Sequence, residues 1–236
     1  MIRSAWLVVA LAGCDAVFGI GAVGDPPPPA PDANLSIGLV AYYPFDDSVV
    51  RDATGHGHDG TCTSCPTLVP GHRGMAAHFD GTMHVDVTMN TLDLGTEGEL
   101  TIAAFVATDV SNDSCFLNKL VLGSDLDSWQ MCIEHGRIGF YTSDATEDLV
   151  SPSNLVPADE WHHIAIVLGN VTKSIYLDAM QEGIRNGHTT IDDSPMLIGA
   201  DRDSGTIVGA LIGRLDEVRI YDRALSVDEI AILAAQ

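Results

Sequence analysis

Gly213-Arg214-Leu215-Asp216-Glu217-Val218-Arg219-Ile220-Tyr221 is a run of β-branched, aromatic and charged residues near the C-terminus. Its apolar side chains recur at period two, which predicts a β-strand. Strict alternation puts Leu215, Glu217, Arg219 and Tyr221 on one face and Asp216, Val218 and Ile220 on the other. The second face is apolar except for its carboxylate. A carboxylate among apolar neighbours is costly unless it is hydrogen-bonded, neutralised or bound to a cation. The partner of Asp216 is the first question the sequence poses.

Upstream of this run, similar short strands follow one another with only loops between. They are read at 37–45, 74–81, 84–87, 100–107, 114–122, 128–135, 136–142, 161–168, 173–179 and 195–199, before a last one at 210–221. Asp80-Gly81 is a turn signal that makes 84–87 the hairpin partner of the strand before it. Many strands without intervening helices predict a two-sheet antiparallel sandwich, an all-β jelly roll. The end of the chain differs. Ser226-Val227-Asp228-Glu229 is a capping box, which predicts a short helix over Val227–Ala234 with Ile230 and Leu233 packed on the sandwich edge.

The chain has 236 residues, 46% of them hydrophobic, enough for one sizeable core. Its formal charge is −22, with 33 Asp and Glu against 11 Lys and Arg. No basic run is present, and an anionic surface repels nucleic acid, so nucleic acid is a poor partner and none is expected. The acidity fits solubility through charge, or cation sites. Five cysteines stand at 14, 62, 65, 115 and 132. The last four can pair in three ways, consistent with an oxidising compartment. Cys62–Cys65 and Cys115–Cys132 are favoured, the second joining neighbouring strands of a hairpin.

The N-terminus reads as an address and a tether. Arg3 precedes the apolar run Ala5–Leu11, too short to span a bilayer but suited to a secretory signal. It ends in Leu11-Ala12-Gly13-Cys14, which resembles a bacterial lipobox. That resemblance implies a signal peptide at 1–13, cleavage before Cys14 and lipid attachment to it, anchoring the protein in the cell envelope. Residues 14–36 then form a Pro-rich linker, with Pro26–Pro29 favouring a stiff polyproline II stalk. The folded domain is read as 37–236.

Four blocks in order carry a wider resemblance. They are Leu39–Asp46 with the oxygen-rich loop Asp52–Gly60; Met75–Gly81; Glu160-Trp161-His162-His163-Ile164-Ala165; and Gly213–Tyr221 with Arg223–Ile230. Together they resemble the LamG-like jelly-roll domain of bacterial proteins, in the concanavalin A-like lectin/glucanase superfamily. The resemblance implies a concanavalin A-like sandwich whose last strand neighbours the first, with Trp161 in the core. It also implies a structural calcium at the sandwich edge, since relatives often hold one. Asp46, Asp52 and Asp216 are the expected Ca²⁺ ligands, completed by loop carbonyls. One departure is visible: Tyr176-Leu177-Asp178-Ala179 stands where the family has Tyr-x-Asp-Gly. Alanine strains a turn that needs positive φ, so a different turn is expected there.

Catalysis is not expected. The superfamily's glucanases carry three acids on one strand, as Glu-x-Asp-x-Glu or a close variant, and flank the scissile bond with two carboxylates. No such stretch occurs here, nor any Gly-x-Ser-x-Gly, His-Glu-x-x-His or P-loop. His56 and His58 read as loop residues rather than metal ligands. Two binding roles remain: a carbohydrate-binding module, or a protein–protein scaffold of the envelope, in either case a monomeric domain. Trp129 and Tyr141, on adjacent strands, are the candidate sugar-contacting aromatics.

Overall fold

Residues 35–89, 98–109, 113–121, 127–143, 148–152, 156–191 and 193–236 are described by a computed structural model. The signal segment, Cys14 and the Pro-rich stretch lie outside them. Along the chain the strands are β1 (Leu39–Tyr43), β2 (Thr67–Pro70), β3 (Met75–Asp80), β4 (Val85–Val87), β5 (Leu100–Thr108) and β6 (Ser114–Leu120). Next come β7 (Asp127–Glu134), β8 (Arg137–Thr142), β9 (Leu149–Val150), β10 (His162–Leu168) and β11 (Thr172–Leu177). The last are β12 (Met180–Asn186), β13 (Met196–Ile198), β14 (Asp201–Asp203), β15 (Thr206–Val208) and β16 (Ile212–Tyr221), followed by helix α1 (Val227–Ala234).

These strands form two large antiparallel sheets. The eight-stranded sheet runs β12-β11-β10-β5-β16-β3-β2, with β1 also paired to β16. The six-stranded sheet runs β4-β13-β6-β7-β8-β9, and β14-β15 is a separate hairpin. Between the sheets lies one core, with Tyr43, Phe79, Ile102, Phe116, Trp129, Phe140, Ile166 and Val218 among its buried members. A second apolar cluster lies on the outer face of the eight-stranded sheet. There Ile230 and Leu233 of α1 cover Ala103, Ala165 and Tyr221. The capping box forms as read: Glu229 N–H donates to Ser226 Oγ at 3.3 Å, and Ser226 N–H donates to Glu229 Oε2 at 2.8 Å.

Strand β16 is the seam of the larger sheet. One of its sides pairs with β5 along most of its length. Its other side changes partner, from β3 at Ile212–Leu215 to β1 at Val218–Tyr221. At the changeover Asp216 pairs with Phe105 and Arg219 with Ala103, so β16 carries one extra residue there. Glu217 takes the positive φ of 54° that this bulge requires. The bulge resets the alternation. Leu215, Val218 and Ile220 face the core, whereas Asp216, Arg219 and Tyr221 take the outer face. The expectation that Asp216 shares a face with Val218 and Ile220 is thereby corrected.

Three further expectations change. Phe79 and Val85 both enter the core, but β3 belongs to the eight-stranded sheet and β4 pairs with β13 in the other. The Asp80-Gly81 turn therefore crosses between sheets instead of closing a hairpin. Asp178 and Ala179 have positive φ, 47° and 68°, so the β11–β12 turn is left-handed at both residues even with alanine in it. The short or polar strands β2, β9, β12, β14 and β15 escape a reading based on apolar alternation. The cysteine pairing is as favoured: Cys62–Cys65 and Cys115–Cys132 are disulfides, the latter across paired positions of β6 and β7.

Candidate functional site

Trp129 is fully buried and belongs to the core, packed with Met131 and Phe116. It pairs with Thr142, whereas the neighbouring position Gln130 pairs with Tyr141. Period two then places Trp129 and Tyr141 on opposite faces of the six-stranded sheet, so they cannot share a ligand. Of the two aromatics expected to contact sugar, Tyr141 alone looks outward. The other correction is Trp161, expected in the core. It stands part-exposed on the outer face of the eight-stranded sheet, with the Arg214 guanidinium 5.5 Å over its ring.

Tyr141 ends a row of paired positions that crosses five strands: Asp86, Leu197, Asn118, Gln130 and Tyr141. The residues flanking each of them along its strand point into the core, so the row lies on the outer face. Strands stand about 4.8 Å apart, which makes the row roughly 19 Å wide. The β14–β15 hairpin roofs one half. Arg202 donates to Asp86 Oδ1 at 2.9 Å, and Asn118 Nδ2 donates to Asp201 Oδ1 at 2.9 Å and to Asp127 Oδ1 at 2.7 Å. The other half, at Gln130 and Tyr141, is part-exposed.

The Tyr141 ring lies down along its own strand because residue 139 is glycine. A Cβ on Gly139 would stand 2.5 Å from Tyr141 Cε2 and 2.7 Å from its hydroxyl oxygen. The hydroxyl donates to Glu134 Oε2 at 2.8 Å, which fixes the far end of the ring. Burial and this bond to Glu134 raise the Tyr141 pKa, so the phenol stays neutral. Beside the ring, the Cys115–Cys132 disulfide ties β6 to β7, and Cys132 pairs with Gly139. The result is a half-buried aromatic plate on the sheet, fixed at its hydroxyl end.

An acidic group borders the plate. Burial raises the Asp127 pKa to about 7; the Asn118 amide opposes the shift and the charge of Asp201 adds to it. Burial also raises Asp201, against hydrogen bonds from the Arg202 amide and the Gln130 side chain. Gln130 thus links the plate to the carboxylates. Sequence alternation could have flagged Asn118 and Gln130 once Tyr141 was placed outward. No sequence signal announces that β14 folds over them.

The expected calcium ligands divide. Asp46 and Asp216 meet at the junction between β1, β3 and β16. Arg73 N–H donates to Asp216 Oδ2 and Met75 N–H to Asp46 Oδ1, both at 2.9 Å. Asp216 Oδ1 is buried without a well-formed hydrogen bond. Burial raises the Asp216 pKa to about 7, the Arg73 and Glu217 amides offset part of this, and the Glu217 and Asp46 charges add to it. A cation between these two carboxylates fits that chemistry. Asp52 does not join them. Its oxygens accept from the amides of Tyr42, Thr54 and His58 and from the Thr54 hydroxyl. Burial pushes its pKa up, yet these bonds outweigh burial and lower it. Among the described residues no three His, Cys, Asp or Glu side chains converge as a metal site. His56 and His58 each pair by Nδ1 with a backbone carbonyl, of Val40 and Thr88.

Known proteins agree with this architecture. A family model described as the concanavalin A-like lectin/glucanases superfamily matches residues 79–231, more than half of the chain. No curated protein matches it in sequence. Domain 4 of AbnA, an extracellular arabinanase of Geobacillus stearothermophilus solved with arabinotriose, superposes at TM-score 0.66 with 18% identity, covering 83% of this chain and 98% of that one. The binding domain of Paraclostridial Mosquitocidal Protein 1 gives 0.68 and 15%, covering 84% of this chain and 52% of its own. Trypanosoma rangeli sialidase gives 0.63 and 18%, covering 84% and 32%. At such identities the likeness is one of fold.

Proposed function

We propose a function on one premise: the chain belongs to the concanavalin A-like lectin/glucanases superfamily. It is a non-catalytic binding module that takes neutral oligosaccharides on the outer face of its six-stranded sheet. The observation that carries this reading is the Tyr141 ring on the outer face, its hydroxyl end lying over Gly139, beside Gln130. A pyranose or furanose ring presents an apolar C–H face, which packs on an aromatic plate, and hydroxyls, which bond to amide and carboxylate edges. The nearby carboxylates Asp127 and Asp201 oppose an anionic sugar. Three structural relatives are an arabinanase domain solved with a trisaccharide, a toxin binding domain and a sialidase, which suits a binding role on this fold.

Titration calorimetry with neutral oligosaccharides, arabinotriose first, tests the reading. Binding to wild type and loss in Tyr141→Ala support it. No heat with any neutral glycan, alongside capture of an envelope protein, replaces it with the scaffold role.

The same proposal includes the tether and the cation. Cys14 is taken as a lipidated N-terminus that places the module in the cell envelope, on the strength of the lipobox-like Leu11–Cys14. Mass spectrometry of the mature protein tests that. A calcium ion held by Asp46 and Asp216 would supply charge neutralisation at the seam.

A further inference from the structure

The outer face of the other sheet carries a cavity of about 610 Å³, lined by Val69, Pro70, His78, Asp109, Asp159 and Arg214. It is built by the seam strand and its neighbours. His78 and Arg214 occupy paired positions of β3 and β16. Asp109 follows β5 and is fixed by its N–H donating to the Ile212 carbonyl at 2.9 Å. Asp159 stands in the loop before β10 with a positive φ of 64°, its N–H donating to the Thr108 carbonyl at 2.7 Å. Two strands and two strand-flanking segments therefore bring polar groups to one hollow, and β2 supplies its apolar wall.

The polar groups there are incompletely paired. His78 Nε2 lies 2.8 Å from Asp109 Oδ2. Arg214 lies 3.4 Å from Asp109 and 3.6 Å from Asp159. The second distance is too long for a hydrogen bond, and the buried Arg214 Nε has no hydrogen-bond partner. Asp159 itself is 75% exposed. An unsatisfied donor thus stands next to under-used carboxylate acceptors. Trp161 backs the guanidinium from behind and holds its plane.

We propose that this cavity is a second binding site, for a single neutral sugar ring or comparable vicinal diol. Asp109 and Asp159, on a chain of net charge −22, oppose an anion, and Arg214, ion-paired with both, offsets one of their two charges. A purely apolar guest would leave the guanidinium unsatisfied. Neighbouring hydroxyls each donate and accept, which matches Arg214 Nη2 and the exposed Asp159 carboxylate 3.6 Å from it, while Val69 and Pro70 face the C–H edge. The volume lies within the range of small-molecule pockets. The site shares no residue with the Tyr141 face and does not depend on it. With both sites occupied, one module bridges two glycan segments.

The test is an NMR titration of the full chain with arabinotriose, following the His78 ring and the Trp161 indole. Glucuronate and Tris serve as anionic and cationic controls. Both signals should shift with arabinotriose and shift equally in Tyr141→Ala. Arg214→Met keeps the packed stem and removes the donors, and Asp159→Gly suits the positive φ and removes the carboxylate. Each should weaken binding about tenfold, the loss of roughly one charged hydrogen bond. Absence of both shifts overturns the site, as does a stronger response to either control. Shifts that vanish in Tyr141→Ala overturn it too, because they report the first face. Intact His78 and Trp161 shifts in a wild type that shows no arabinotriose response at Tyr141 remove the first reading and leave this one standing.

Discussion

Asp216 and Val218, two positions apart on one strand, point to opposite faces of the sheet. Val218 is in the core, while Asp216 stands across from Phe105 on the outer face and accepts the Arg73 amide. The extra residue at Glu217 separates them. Tyr42 donates its hydroxyl to Glu217, and Arg219 closes an ion pair with it at 2.5 Å, so the bulge is held by side chains as well as by backbone. The feature falls where β16 exchanges β3 for β1, which is where a regular strand would leave ladder groups unpaired.

Asp216→Asn should stabilise the protein at neutral pH without altering the fold. The folded pKa of about 7 is raised, chiefly by burial, above the unfolded carboxylate value near 4. Between those values the folded state holds a proton that the unfolded chain has released. Stability from this group is full below pH 4 and is lost as pH rises through 7. The stability difference between variant and wild type should be small at pH 4, grow to pH 7 and then level off. Urea melts across that range measure it; a pH-independent difference would show that Asp216 does not titrate there.

Calcium should raise the melting temperature of chelator-treated protein, and Asp46→Ala should abolish the rise. A ligand at a hundredfold excess over its Kd adds about 2.7 kcal/mol. Asp52→Asn should leave the calcium response in place, because the Asp52 carboxylate is occupied by its own loop. No shift with calcium in wild type would remove the cation from the seam.

Ala179→Gly should stabilise the β11–β12 turn by about 1 kcal/mol. Alanine holds a φ of 68° there, and L-residues pay roughly 1–2 kcal/mol in that region, part of which the freer unfolded glycine chain offsets. A rise of a few degrees in Tm is the readout.

Trp129→Ala and Tyr141→Ala should separate folding from binding. Trp129 is fully buried in the core, so its truncation costs about 3–5 kcal/mol and lowers Tm sharply. Tyr141 lies on the surface plate, and its loss should abolish arabinotriose binding at that face, leaving the cavity beside Arg214 unaffected, with little change in the melt. The reverse pattern would mean that the plate has no ligand.

Sequence by itself determined the all-β sandwich, the closing strand and the capped helix, because these rest on local signals; it favoured the two disulfides without fixing their pairing. Period-two alternation reports a strand directly, and Ser226 with Glu229 reports a helix start. What only the tertiary structure decided is which way side chains face and what converges. One inserted residue at Glu217 reverses the parity of everything before it, and alternation cannot register a bulge. The two tryptophans also stand on the faces opposite to those expected, Trp129 in the core and Trp161 on the outer face. Both candidate sites, the plate at Tyr141 and the cavity at Arg214, join strands distant in the chain. Their geometry follows from sheet order, which non-local pairing sets and no local pattern encodes.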